Sequence, residues 1–226
     1  MAPLQHSMLQ SLVLRAGAYI PYNLDSLPLL QVLTLPALQT LDVGWAYLPS
    51  DAALFPAFLE KSPAIKHLTA ALCQSKDPDT FPPIVTEPRG VVPALRKLPA
   101  LTTLCLELEN HEVMFDIVSR LRDQLFLRRL ESISFSIALL RSGWHIPLNI
   151  TTVFGHIHTA LILEALTSRS GGPRSSAVQL REFAFTWPQG MWDPEALEQL
   201  HDSVQALQAR SAVRVHLSEV VPRFAY

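Results

Sequence analysis

A spacing of apolar residues, Leu-x-x-Leu-x-Leu, recurs along the chain and constrains the fold more than any other feature. The clearest copy lies in Leu98–Leu108, and the copies begin at Leu9, Leu38, Ile65, Leu101, Leu130, Leu180 and Ala212. Successive starts are 29, 27, 36, 29, 50 and 32 residues apart. Leucine-rich repeats span about 20–29 residues. Three steps match that length, and the longer ones require insertions or a degenerate copy. Each copy predicts a short strand that buries its spaced residues.

Helical patterns separate the copies. Asp193-Pro194 is the strongest start signal, because proline suits the first position of a helix. Further helices are predicted after caps at Asp51, at Asn110 and at Thr151 or Thr152, with buried faces that share helical spacing. These faces comprise Leu54, Phe55, Phe58 and Leu59; Val113, Met114, Ile117, Val118 and Leu121; Ile157, Leu161 and Leu166; Leu197, Leu200, Val204 and Leu207.

Alternation of strand and helix predicts an α/β leucine-rich-repeat solenoid, a horseshoe arc with a parallel inner β-sheet and outer helices. Residues 1–226 are expected to form a single domain of this kind. Its one long interruption is residues 74–93, where proline density predicts an exposed loop. The simpler interpretation of this loop is a tolerated insertion, and the alternative is a loop that contacts a partner.

Composition restricts the class of protein. Hydrophobic residues make up 49% of the chain and charged residues 17%, which excludes general disorder. A formal net charge of -2 gives no electrostatic case for nucleic acid or an anionic membrane. The two cysteines do not form a disulfide framework. We find no signal-peptide pattern and no apolar run near the ~20 residues of a membrane helix. We therefore expect a cytoplasmic or nuclear protein.

Strand alternation places the residues between the spaced leucines on the inner, concave face of the predicted sheet. The candidate partner-binding residues there are Thr40, Asp42, His67, Thr69, Thr103, Cys105, Glu107, Ser132, Ser134, Glu182, Thr186, Arg214 and His216. Two interpretations stay open, an ordinary solvated sheet face and a surface that binds a protein. Trp187, Met191 and Trp192 form a separate apolar group. They are either an interaction tip or, by preference, packing beneath a loop.

The sequence offers no catalytic motif and no cofactor or metal site. His156 and His158 are two residues apart, which on a helix sends them to different faces. There is no Gly-x-Ser-x-Gly elbow, and Gly171-Gly172-Pro173 lacks the lysine of a phosphate loop. We therefore predict a non-enzyme, and the alternative is an enzyme of hydrolase-like α/β topology.

Residues 33–43, which read Leu-Thr-Leu-Pro-Ala-Leu-Gln-Thr-Leu-Asp-Val, resemble the repeat unit of leucine-rich-repeat regions in F-box proteins of mushroom-forming fungi. Residues 58–68 and 180–217 are similar in the same way. The resemblance implies a substrate-binding repeat region of a ubiquitin-ligase receptor, which docks on a Skp-type adaptor through an F-box. No F-box-like segment is recognisable here, so adaptor binding is expected only if one lies upstream. The alternative is a stand-alone structural or scaffold repeat protein with no ligase role.

Overall fold

The computed structural model describes residues 4–15, 32–47, 54–73, 91–108, 111–137, 154–171 and 178–220. The chain divides into two compact units, Met1–Val113 and Met114–Tyr226. None of the helices within the described ranges is long and apolar enough to cross a membrane.

Strands and helices alternate along both units. The elements that begin in the first unit are β1 (Leu4–Gln5), β2 (Ser11–Arg15), β3 (Leu33–Thr34), β4 (Thr40–Tyr47), α1 (Leu54–Glu60), β5 (His67–Cys73), α2 (Val91–Leu95), β6 (Thr103–Leu108) and α3 (His111–Arg120). The second unit contains β7 (Ser132–Ile137), α4 (His156–Arg169), β8 (Glu182–Pro188), α5 (Pro194–Gln208) and β9 (Arg214–Val220).

All of these strands pair in parallel, as the sequence predicts. In the first unit the order is β2-β4-β5-β6, and Leu41 is in register with Leu12 on one side and Leu68 on the other. A separate short pair joins β1 to β3. In the second unit the order is β7-β8-β9, with Phe183 opposite Ile133 and Val215. The repeated spacing therefore marks equivalent positions on neighbouring strands.

The spaced residues form the core of each unit. At the middle position of the motif, Leu41, Leu68, Leu104, Ile133 and Phe183 are at most 1% exposed. Leu9, Leu12 and Leu14 are only half-buried, and Ala212 in the last copy is exposed. These less buried copies belong to β2, the first strand in the order of the first unit, and to β9, the last strand in the order of the second unit.

A turn with a shared sequence precedes three of the strands. Leu35-Pro36-Ala37-Leu38 closes with a hydrogen bond from Leu38 N–H to Leu35 O, at 3.1 Å. Equivalent bonds join Ile65 to Ser62 and Leu101 to Leu98, with Pro63 and Pro99 at the second position. Proline fits that position because its fixed φ matches the turn. This turn is part of the repeat and was not singled out by the leucine spacing.

A repeated backbone contact follows each turn. The N–H groups of Lys66 and His67 both donate to Gln39 O, at 2.8 and 3.0 Å. Those of Thr102 and Thr103 do the same to Lys66 O. In the second unit, the N–H groups of residues 181 and 182 share the carbonyl of Glu131. The same entry geometry thus recurs at β5, β6 and β8.

The helices largely follow the predicted pattern. Val113, Met114, Ile117, Val118 and Leu121 are all buried, as expected for α3. Asp193 caps α5 through its carboxylate, which accepts from Ala196 N at 3.0 Å. The proposed caps at Asp51, Asn110 and Thr151 or Thr152 lie outside the described residues.

Two local predictions are wrong. Ile157, placed on the buried face of its helix, is 70% exposed, because α4 begins at His156 and turns Thr159, Ile162 and Leu166 inward. The predicted loop ends too late, because Pro93 lies inside α2. Proline is tolerated in a first helical turn, where the N–H groups have no partner within the helix. Residues 74–90 lie outside the described ranges.

Candidate functional site

One side of the sheet in the first unit carries the predicted site residues. Register places Thr40, His67 and Thr103 in one row across β4, β5 and β6. Asp42, Thr69 and Cys105 form the next row, and Glu107 follows Cys105 on β6. All seven are exposed or half-buried, whereas their neighbours Leu41, Leu68 and Leu104 are buried. We call these seven residues the first open face.

Side-chain hydrogen bonds between neighbouring strands fix the residues at the beginning of this face. His67 Nδ1 lies 3.1 Å from Thr103 Oγ1, so the ring is fixed on a hydroxyl of the neighbouring strand. One residue earlier on each strand, Lys66 Nζ donates to Gln39 Oε1 at 3.1 Å and Thr102 Oγ1 donates to Lys66 O at 3.0 Å. Each bond joins adjacent strands, so the first row is held in a defined register.

The second unit has an equivalent surface, the second open face. Its residues alternate with buried ones along β7, β8 and β9, and they are Ser132, Ser134, Ser136, Glu182, Ala184, Thr186, Arg214, His216 and Ser218. Glu182 begins the middle strand of this face, where its Oε2 accepts from Ser132 Oγ at 3.3 Å and its Oε1 lies 3.8 Å from His216 Nε2. Thr186 Oγ1 and Ser218 Oγ are 2.9 Å apart. Small hydroxyl side chains dominate the rest of this surface.

The Ser132, Glu182 and His216 group does not have the order of a nucleophilic triad. A serine nucleophile needs a base such as histidine beside its hydroxyl, with the carboxylate behind the base. Here the carboxylate stands between the hydroxyl and the imidazole. This geometry can donate and accept hydrogen bonds with a bound molecule, and it offers no activated nucleophile.

The two best-defined surface depressions in the described part of the chain lie away from the open faces. One, of about 480 Å³, is lined by Arg122, Leu163, Glu164, Thr167 and Ser168. The other, of about 310 Å³, lies between α5 and β9. Among the same residues, no three His, Cys, Asp or Glu side chains come together as ligands for a metal ion. The open faces therefore suit a broad partner better than an enclosed small molecule.

The tryptophan group packs in the core, which was the preferred of the two predictions. Trp187, Met191 and Trp192 are buried, and the two indoles meet edge to face with ring centroids 5.9 Å apart. Phe154 packs on Trp192 at 5.2 Å. Phe154 N–H also donates to Met191 O at 2.8 Å, which ties the start of α4 to the segment before α5.

A buried arginine, Arg169, was not anticipated from the sequence. It is 1% exposed, and its guanidinium donates to the carbonyls of Leu121, Asp123, Phe126 and Leu127. Burial lowers the pKa of this group, and the Asp123 carboxylate opposes that shift. The clamped segment includes Leu127, whose φ of 49° lies in the left-handed region. Arginines near helix ends are usually solvated, so position alone gives no signal for this role.

Comparison with protein-family models, with curated proteins and with solved structures finds no match to this chain.

Proposed function

We propose that this chain is a leucine-rich-repeat solenoid that recognises a protein through its open sheet faces. In this proposal it is the substrate-recognition part of an F-box-type ubiquitin-ligase receptor. The observation that carries the proposal is the alignment of small polar side chains in register across parallel strands. In such arrays, successive repeats build an extended concave surface that binds partners.

The repeat interpretation is supported by features independent of the leucines. The Pro-Ala turn precedes β4, β5 and β6, and the shared-carbonyl contact recurs at strand entries in both units. Because several strands enter against the preceding one in the same way, stacked repeats account for the pattern. The ligase role is supported by the resemblance of residues 33–43, 58–68 and 180–217 to the repeat regions of F-box proteins. The alternative function, a stand-alone scaffold, requires the same faces and no adaptor.

The test is affinity purification of the tagged full-length protein, followed by cross-linking mass spectrometry. Ala184→Arg places a long charged side chain in the middle of the second open face, and Thr69→Arg does so in the first. Ala160→Arg, on an exposed position of α4, is the matched control. We expect a co-purified protein to cross-link to an open face and to be lost with at least one face variant, but not with the control.

The outcomes separate the hypotheses. A Skp-type adaptor among the specific partners supports the ligase role, whereas a specific partner without an adaptor supports the scaffold alternative. A partner retained equally by both face variants, with cross-links confined to the helices, contradicts recognition through the open faces. Circular dichroism of each variant establishes that a lost partner does not reflect unfolding.

A further inference from the structure

The strand β9 has an unpaired side among the described residues. It is the last strand in the order of the second unit and pairs only with β8 there. Arg214 N–H donates to Arg181 O at 2.8 Å, and Val220 O accepts from Gln189 N at 3.0 Å, so even-numbered residues face β8. In a parallel strand, successive residues direct their backbone groups to opposite sides. Val215, Leu217 and Glu219 therefore direct theirs away from β8.

A groove runs beside this unpaired edge. It has a volume of about 310 Å³ and is lined by His201, Asp202, Val204, Gln205, Gln208, Val215 and Leu217. Val204 and Val215 are buried, Leu217 is half-buried, and polar side chains from α5 form the rim. Gln208 Nε2 reaches Val215 O at 3.5 Å, which is a weak use of one edge carbonyl. An apolar side chain from an added strand would fit over Val215 and Leu217.

The charges beside the edge favour one kind of strand. Arg214 and His216 lie on the second open face of β9, and both are exposed. Arg214 forms no ion pair with any described residue, because Glu182, directly opposite, bonds to Ser132 and faces His216 instead. An added strand would place every second residue beside these side chains. Acidic residues at those positions would pair with the Arg214 guanidinium.

We propose that β9 accepts an extended segment of a partner protein as an additional parallel strand, in which apolar residues alternate with acidic ones. Strand addition supplies affinity through backbone hydrogen bonds and specificity through alternate side chains. A second copy of this chain is a poorer match, because its β2 would offer Ser11 and Val13 beside Arg214 and His216. This inference uses the sheet edge and does not depend on the proposed function of the open faces.

The experiment uses the full chain, ¹⁵N-labelled, and a blocked heptapeptide of alternating Glu and Val. In the chain alone, the amides of Val215 and Leu217 should exchange with solvent faster than those of His216 and Ser218, which face β8. The peptide should slow exchange at Val215 and Leu217 and shift their resonances. Arg214→Glu should weaken binding of the Glu-Val peptide by about tenfold, because it replaces an attraction to the glutamates with a like-charge repulsion. A Lys-Val peptide should then bind this variant better than the Glu-Val peptide does.

Arg210→Glu is the matched control, because Arg210 is exposed just beyond the end of α5 and the charge change is the same. Protection of Val215 and Leu217 in the dilute chain without peptide would overturn the proposal, because the edge would then be occupied by the chain itself. Protection that rises with protein concentration would identify a second copy as the occupant and also overturn it. The proposal would also be overturned if the Glu-Val peptide failed to bind, or if it bound Arg214→Glu as tightly as the unchanged chain. Arg214→Ala keeps the test valid if the reversed charge disturbs folding.

Discussion

Replacement of Arg169 by methionine tests whether its carbonyl clamp stabilises the second unit. The two side chains are of comparable length, so the change removes the guanidinium donors while it fills most of the space. Of the four carbonyls that accept from Arg169, those of Asp123 and Leu127 also accept from the backbone N–H groups of Phe126 and Leu130. Among the described residues, the carbonyls of Leu121 and Phe126 have the guanidinium as their one donor.

The magnitude follows from these two carbonyls. A buried carbonyl left without a donor costs roughly 1–3 kcal/mol, so two cost about 2–6 kcal/mol. Methionine also removes a buried cation, whose desolvation opposes folding, and this lowers the net loss. We therefore expect Arg169→Met to reduce the free energy of unfolding by about 2–4 kcal/mol. The stability of Arg169→Lys should lie between those of the unchanged chain and Arg169→Met, since an ammonium cannot reproduce the planar guanidinium that reaches several carbonyls.

Urea denaturation followed by circular dichroism and tryptophan fluorescence measures this difference. Arg122→Met is the control, because Arg122 and its partner Glu164 have side chains 51% and 55% exposed. An exposed ion pair is worth about 0–1 kcal/mol, so the control should be nearly neutral. Equal stability of Arg169→Met and the unchanged chain, or equal losses for the two variants, would refute the clamp.

Three further predictions concern single side chains. Ser62 is fully buried at the position that Leu35 and Leu98 occupy in other copies, and its hydroxyl has no hydrogen-bond partner among the described residues. Ser62→Ala should therefore leave the urea midpoint unchanged or raise stability by up to about 1 kcal/mol, and a loss of stability would show that the hydroxyl has a partner. Asp193→Ala removes the cap of α5 and should cost about 0.5–2 kcal/mol, whereas Asp202→Ala, on the exposed side of the same helix, should cost far less in the same assay. Burial lowers the pKa of His111, and the Glu112 carboxylate opposes this shift. The folded chain thus favours the neutral ring, so stability is full above the unfolded pKa of about 6.5 and declines as the pH falls from there towards the lower folded pKa. His111→Gln should flatten this decline below about pH 6.5, and an unchanged slope would count against this cause.

The strands could be predicted from the sequence because each copy applies the same constraint. Residues such as Leu68 and Leu104 recur at a spacing that favours a short strand with one buried side, and the 27 to 50 residues from one copy to the next leave room for a parallel return. The open-face residues followed from the same alternation. Their exposure between buried neighbours agrees with the predicted alternation, whereas the concave face and the role in binding stay predictions.

Other features cannot be predicted from the spacing of residues. Pro93 belongs to a proline-rich stretch that predicts a loop, but the first turn of a helix accepts proline without loss of a hydrogen bond. Ile157 fits the periodicity of a buried face, yet which side of α4 faces the sheet depends on where the helix begins. Arg169 contacts carbonyls 42 to 48 residues away, a partnership that a local pattern does not encode.

Nuclear Overhauser contacts between neighbouring strands in solution are the most direct test that the spaced residues are equivalent positions of stacked parallel strands. A sample labelled for backbone assignment should show contacts that link Leu41 to Leu68 and Leu68 to Leu104, with the strand on either side advancing in the same direction. It should also show Ile133 beside Phe183 and Phe183 beside Val215. Strong contacts between α-protons of facing residues, which mark antiparallel pairs, or helical contacts within residues 67–73 or 103–108 would contradict the account.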